Sequence, residues 1–292
     1  MKKTNIDTKN LKPHWGNISG ILFVHVMSIV ALFYFNWNAF WVFVFLFFTI
    51  SPLGVTLTYH RLLSHRAFKV PQWFEYTLAT IGALTGQGPM LLWVAEHRLH
   101  HKFSDTPRDP HSSRDGGFWW AHMTHLFYHK DFEDDPKQWM KYVPDLSKHK
   151  YYHFLSKYNT VIALTLLPIL YALGGIPFVM WGMFVRITFM LHVTWFVNSA
   201  THKFGYRNFN TKDDSTNIWW VAVLGAGEGW HNNHHAEQAC AAHGRMWWEF
   251  DLTWQIIKFL GFVGLATNIR RPTPIVSAEQ VFINDESVVE IL

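Results

Sequence analysis

The chain has 292 residues, of which 49% are hydrophobic, 17% aromatic and only 16% charged, less charge than a soluble domain ordinarily carries. One cysteine, Cys240, excludes an internal disulfide framework and a thiolate metal site. The formal net charge is +4, but the basic residues are not grouped with stacking aromatics, so a membrane surface or an acidic partner protein is expected and nucleic acid is not.

Residues 1–17 are polar and carry Lys2, Lys3, Lys9 and Lys12. The stretch 18–35 then has no charged residue, and after Asn36-Trp37-Asn38 a second uncharged run covers 39–59. About 20 apolar residues span a bilayer, so the two runs read as a membrane hairpin. No small-residue cleavage pattern follows the first run and the second comes at once, which argues against a signal peptide. From 60 to 158 the chain is mixed and rich in histidine. Within it 73–94 is apolar but holds Glu75, Gly82, Gly86, Gly88 and Pro89, and reads as a helix lying in the membrane interface. Two more apolar runs, 160–173 and 178–201, are joined by Gly174-Gly175-Ile176-Pro177. Residues 202–292 are again mixed, with an amphipathic run near 247–265 and an acidic tail.

Of the 25 Lys and Arg residues, all but Arg186 lie outside these four runs and their two short connections. The excess of positive charge on one side places both termini and the segments 1–17, 60–158 and 202–292 in the cytoplasm. The expectation is a single all-α integral-membrane domain over 1–292: four transmembrane helices in two hairpins, with a cytosolic helical cap. Arg186, inside the fourth run, is a functional candidate or a residue facing the bundle, while His25 and His192 inside the runs read as structural.

Both hairpins deliver histidines to the same side. His97, His100 and His101 repeat the spacing of His231, His234 and His235, and i, i+3, i+4 share one helix face, so each triplet could aim at one point. His60, His65 and His202 bring the set to nine of the 19 histidines. Imidazole suits iron, zinc, copper and nickel. Nine exceed one ion's capacity, so two metals sharing the set is the simplest count. Glu96, Asp105, Asp109 and Glu228 lie close enough in sequence to accept the other ring N–H of these histidines. His60 and His65, five apart, would point about 140° from each other on a straight α-helix; either the helix ends between them or they serve different metals. No Gly-x-Ser-x-Gly elbow, Gly-x-Gly-x-x-Gly fingerprint or P-loop occurs, so electrons, if needed, come from another protein.

His60-Arg-Leu-Leu-Ser-His65, His97-Arg-Leu-His-His-Lys102 and Gly227-Glu-Gly-Trp-His-Asn-Asn-His-His235 resemble the three histidine boxes of membrane fatty acid desaturases of the delta-9 acyl type. Asn198-Ser-Ala-Thr-His202 and Asp109-Pro-His-Ser112 match further family segments, and Trp247-Trp248 with Lys141-Tyr-Val-Pro-Asp145 are closer to bacterial, cyanobacterial and plant members than to vertebrate ones. The resemblance covers about 40–260. It implies two iron ions (Fe2+) held by His60, His65, His97, His100, His101, His202, His231, His234 and His235, with Asn198 acting through water. It implies an O2-dependent desaturation that leaves a cis double bond, with electrons from ferredoxin or a cytochrome b5-like protein. In relatives a glutamine, a tryptophan and a threonine line the bend of the acyl chain; these correspond to Gln87, Trp93 and Thr194. The tunnel end is expected near Phe48 and Pro52. Gly88 and Ala95 stand where vertebrate acyl-CoA enzymes carry an asparagine and an arginine for the CoA head group. That favours an acyl chain esterified in a membrane lipid, with acyl-CoA next. A membrane hydroxylase or ketolase with the same ligands would be told apart by product mass. A membrane metal carrier would instead place its ligands along a path through the bilayer.

Overall fold

The computed structural model describes residues 11–273. Lys2, Lys3, Lys9 and the acidic tail lie outside the described residues. Among the described residues the fold is all helical, with isolated β-bridges but no strand. Three continuous helical stretches are long and apolar enough to cross a membrane: Trp15–Tyr34, Trp37–Ser64 and Lys150–His202.

The first stretch contains α1 (Trp15–Val30), begun by His14, whose Nδ1 accepts from the Asn17 N–H at 3.1 Å. The second starts with α2 (Trp37–Ser51), capped by Asn36, whose Oδ1 accepts from the Ala39 N–H at 2.8 Å. From Pro52 to Ser64 the same helix widens to a π-helix. Proline has no N–H to give to the preceding turn. Side chains then reinforce the i→i+5 spacing: Thr58 Oγ1 donates to Leu53 O at 2.5 Å and Ser64 Oγ to Tyr59 O at 2.6 Å. The His65 N–H donates to His60 O at 3.1 Å. Residues five apart therefore return to one face. The 140° separation expected for His60 and His65 on a straight α-helix does not arise, and their ring centroids are 4.8 Å apart.

The third stretch does not run straight. Gly174 and Gly175 leave helical backbone, and Gly175 has φ +65°. Residues 170 and 182 would be about 18 Å apart on one helix, yet Gly182 lies against Leu170, and Ala163, Leu170, Met183 and Ile187 share one core. The chain doubles back at the glycine pair. We call the limbs α6 (Lys150–Leu164), α7 (Leu166–Val179) and, beyond a second π-helical piece at Met180–Val185, α8 (Arg186–Ser199). α1 packs on the returning limb: Trp181 Nε1 donates to Ala31 O at 3.0 Å, and Ser28 Oγ lies 2.7 Å from Thr188 Oγ1. The two histidines read as structural bond each other, His25 Nε2 to His192 Nε2 at 3.0 Å, and His192 Nδ1 continues at 3.0 Å to Nε2 of His122, the last residue of α5 (Ser113–His122).

The interfacial helix expected over 73–94 is two helices, α3 (Gln72–Ala83) and α4 (Met90–Phe103). Gly86 and Gly88 between them have φ +76° and +87°, backbone that side chains resist. Arg186 holds this turn. It is fully buried, and its guanidinium donates to Gly182 O at 2.9 Å and Leu84 O at 3.1 Å. The largest core joins the π-helix (Leu57, Tyr59, Leu62, Leu63) to α3, α4 and Ile257 and Leu260 of the last described helix. That helix, numbered below as α11, is Leu252–Phe262, capped by Asp251.

Arg61, next to His60, binds these parts together. It is 0% exposed and donates to Asp251 Oδ2 at 2.9 Å, Glu228 Oε1 at 3.0 Å and Ala241 O at 2.7 Å. Removing it strands two buried carboxylates. Arg61→Met is expected to destabilise the fold by about 3–5 kcal/mol, read as denaturant or thermal unfolding in detergent; an unchanged midpoint would remove Arg61 from this role.

Candidate metal centre

α4 carries His97, His100 and His101; α8 ends just before His202. Two short helices, α9 (Trp219–Leu224) and α10 (His231–Ala236), precede α11, and α10 carries His231, His234 and His235. The nine histidines meet as two groups. His60, His65, His97, His101 and His234 offer ring nitrogens all within 4.8 Å of one another, and so do His100, His202, His231 and His235. Each triplet is split rather than aimed at one point. The i, i+4 pair His97/His101 joins the first group and His100 the second, while His231/His235 joins the second and His234 the first. The two helices thereby knit the groups together.

In the first group Nε2 separations are 2.8 Å for His65–His97, 2.9 Å for His97–His101 and His101–His234, and 3.0 Å for His60–His234. In the second they are 3.0 Å for His231–His235 and 3.4 Å for His100–His235. Nitrogens about 2.1 Å from a common ion lie about 3.0–3.4 Å apart at right-angled to tetrahedral geometry. The spacings therefore fit shared ions.

Carboxylates set the tautomers. Glu228 Oε2 lies 2.5 Å from His60 Nδ1, Asp109 3.0 Å from His100 Nδ1, Asp105 Oδ2 2.9 Å from His202 Nδ1 and Asp213 Oδ2 2.8 Å from His235 Nδ1. With its Nδ1 proton given to Asp105, His202 turns a bare Nε2 inward, and this buried atom has no protein partner. A buried lone pair facing three more imidazoles asks for a cation. Burial and the neighbouring rings hold His65, His97, His101, His231 and His234 well below the ordinary histidine value, so they stay in the neutral, ligating form. His100 is raised instead, because Asp109 outweighs its burial. Burial would raise the four carboxyl groups, but their partners hold Asp105, Asp109, Asp213 and Glu228 below the usual carboxylate range.

Glu96 does not join them. It hydrogen-bonds Glu133 beside Lys130, and burial together with Glu133 holds its carboxyl well above the usual range. Asp213 was not singled out from the sequence: it lies 22 residues from His235 with no helical spacing to mark it. Nor was His243, buried with its ring 4.4 Å from that of His234 and its Nδ1 3.5 Å from Glu228.

Beside the histidines runs a cavity lined by Ser51, Val55, Thr56, Trp93, Val193, Thr194, Val197 and Asn198, with His60, His97, His100 and His231 in its wall. A second cavity shares Trp93, His97, Thr194 and Asn198 and adds Gln87, Glu96, His111 and His125. At the junction Gln87 Nε2 donates to Thr194 Oγ1 at 3.2 Å, and Trp93 stacks on His97 at 5.2 Å. Phe48 is absent from the lining and 40% exposed, and Pro52 is buried without reaching the cavity. The face that reaches it is Ser51, Val55 and Thr56. Ala95 is fully buried in the main core, and nothing lies within 4 Å of a side chain built on Gly88.

Asp105→Ala is expected to weaken metal binding about 10–100-fold, measured by chelator competition; affinity equal to the parent's would show that the Asp105–His202 pair does not tune the centre.

The fatty acid desaturase family profile matches residues 35–261. The chain is 46% identical to the sn-1 stearoyl-lipid 9-desaturase of Synechocystis sp. over 92% of this chain and 84% of that one. It is 45% identical to the chloroplastic palmitoyl-monogalactosyldiacylglycerol delta-7 desaturase of Arabidopsis thaliana (93% and 72%). It is also 45% identical to the icosanoyl-CoA 5-desaturase of Limnanthes douglasii (88% and 72%). With that match over most of its length, and with three histidine boxes folded into two donor groups beside a cavity, the chain belongs to the fatty acid desaturase family.

Proposed function

We propose that the protein is a membrane acyl desaturase that puts a cis double bond, at or near carbon 9, into a saturated acyl chain esterified in a membrane lipid. The observation that carries this is the pairing of two histidine groups with a cavity whose wall holds rings of both, His60 and His97 of one and His100 and His231 of the other, and which adjoins a second cavity at Trp93 and Thr194. The ions are two irons. His60, His65, His97, His101 and His234 would hold one and His100, His202, His231 and His235 the other, and Asn198, in the cavity wall, would reach one of the two through water. Bound iron would supply the oxidising power, drawn from O2, that unactivated C–H bonds require. Asp105, Asp109, Asp213 and Glu228 keep the proton on Nδ1 of their histidines and so keep Nε2 free.

The protein's own task is position. The Gln87–Thr194 hydrogen bond and the flat face of Trp93 lie where the two cavities adjoin. An acyl chain threaded through must bend there, with one C–C bond beside both histidine groups. Holding one bond in reach selects which bond reacts. The limb towards Val55 and Ser51 takes the methyl end.

The membrane arrangement proposed is four crossings in two hairpins within one domain. The first hairpin turns at Asn36 and the second at Gly174–Gly175. Both termini, 60–158 and 202–292 lie in the cytoplasm with the metal centre. The reversal at the glycine pair and the placement of all basic residues but Arg186 outside the apolar runs 18–35, 39–59, 160–173 and 178–201 support it. Neither Gly88 nor Ala95 offers a group to a CoA head, which favours a lipid-linked chain, and the Synechocystis and Arabidopsis relatives are named for lipid substrates.

The test is a fatty acid profile. The chain and its His231→Ala variant are expressed with a ferredoxin and its reductase in a host without desaturases, and separated lipid classes are examined by gas chromatography–mass spectrometry. A new monounsaturated ester in glycerolipids is expected from the parent alone, and Val55→Phe is expected to shift it to shorter chains. Hydroxylated or keto products would move the answer to an oxygenase; new esters confined to the acyl-CoA pool would change the carrier; no product from the parent would refute the reading.

A further inference from the structure

A cleft on the outer side of α4 is lined by Arg98, Lys102, Arg108, Lys141, Tyr142 and Pro144, with no acidic residue in its wall. Lys102, Arg108 and Lys141 are exposed. Their positions are held by aromatic faces: Arg108 lies 3.8 Å from the centroid of Phe103, and Lys102 and Lys141 lie 5.8 and 5.7 Å from that of Tyr142. Arg98 forms the floor, its side chain 20% exposed. It is paired with Asp145 at 2.7 Å, so the free charge belongs to the other three.

The cleft is tied to the five-histidine group at three points. Lys102 follows His101, and Arg98 follows His97. The Arg98 guanidinium also donates to Leu63 O at 2.7 Å and Ser64 O at 3.0 Å, the two residues before His65. Covalent and hydrogen-bonded links therefore run from the cleft floor to His65, His97 and His101 within about one residue each. The apolar cavity lies on the other side of these rings, lined by Trp93, Val193 and Val197.

We propose that this cleft is the docking site for an acidic, one-electron redox protein that supplies the metal centre. The inference rests on the desaturase reading above. Removing two hydrogens from an acyl C–C pair while one O2 becomes two waters takes two further electrons and two protons. The two electrons come from two one-electron donor molecules in turn, the protons from water. No nucleotide-binding fingerprint occurs in the sequence, and with the acyl chain filling the substrate cavity the donor approaches the histidines from outside it. A wall of cations without an acid steers and orients an acidic partner. Anionic lipid would meet the same charge, but would gain nothing from the links to His65, His97 and His101, whereas an electron donor needs them.

The probe is a plant-type [2Fe–2S] ferredoxin titrated against the full-length protein in detergent, with the triple variant K102E/R108E/K141E as the comparison. Its Kd is expected to rise at least about tenfold in the variant at low ionic strength, and the parent's salt dependence is expected to vanish. Lys102→Gln should fall between the two. Turnover driven by reduced methyl viologen, a small cation, should be kept or rise in the triple variant, with an unchanged KM for the acyl lipid. An unchanged ferredoxin Kd would overturn the proposal. So would viologen-driven turnover that falls in step with ferredoxin-driven turnover, which would make the cleft structural. Lost binding to phosphatidylglycerol vesicles with ferredoxin binding intact would hand the cleft to a lipid surface and overturn it too. If the parent formed no unsaturated product with viologen, the desaturase reading would fall, while the Kd comparison would still decide the docking site.

Discussion

The structure depends on four carboxylate–imidazole pairs. Glu228, Asp105, Asp109 and Asp213 each take the Nδ1 side of one histidine, which turns Nε2 of His60, His202, His100 and His235 inward. An imidazole has two nitrogens and, when neutral, one proton. Fixing that proton outside decides what the inside of the site can be. Without the carboxylates the rings could satisfy one another by hydrogen bonds. With them, His202 Nε2 is left as a buried lone pair without a protein partner. Acid–base chemistry thus comes first, and the two donor groups follow from it.

The second constraint is mechanical. Nine rings drawn from α4, α10, the π-helix and the end of α8 must be held to within tenths of an ångström, beside a cavity that water-free chemistry requires. Arg61 couples three of the parts through Glu228, Asp251 and Ala241. Buried ion pairs add little net stability, because desolvation offsets their attraction. Their use here is registry: Glu228 bonds His60 and Arg61 together, so the residue that sets a tautomer also locks the elements that meet there. The π-helix adds the rest, turning His60 and His65 to one side and giving Val55 and Thr56 to the cavity. Arg186 acts at longer range. It fixes the turn after α3 from which Gln87 reaches Thr194.

The histidine boxes were legible in the sequence because their spacing is local: i, i+3, i+4 is a helix face whatever surrounds it. The membrane runs were legible from length and apolarity, and the second turn from Gly174-Gly175-Ile176-Pro177. What stayed hidden depends on backbone or packing that local pattern does not encode. The widened helical repeat that unites His60 and His65 needs the Pro52–Ser64 backbone itself. The sharing of each triplet between two groups needs α4 and α10 side by side. Asp213 comes from a loop with no period. Glu96 lies beside His97 in sequence, but its carboxyl bonds Glu133. The residues of the second long stretch that reach the cavity stay hidden too, since a helix apolar all round carries no stripe to show which face turns inward.

The central claim is that these two histidine groups each hold one iron. The most direct measurement is the number and identity of metal ions in the purified full-length protein, by inductively coupled plasma mass spectrometry together with Mössbauer spectroscopy of protein grown on 57Fe. The account predicts two irons per chain, in two distinguishable nitrogen-rich environments, because the donor groups have five and four histidines. A single metal per chain after iron-replete growth, or two zinc ions that iron does not displace, would contradict it.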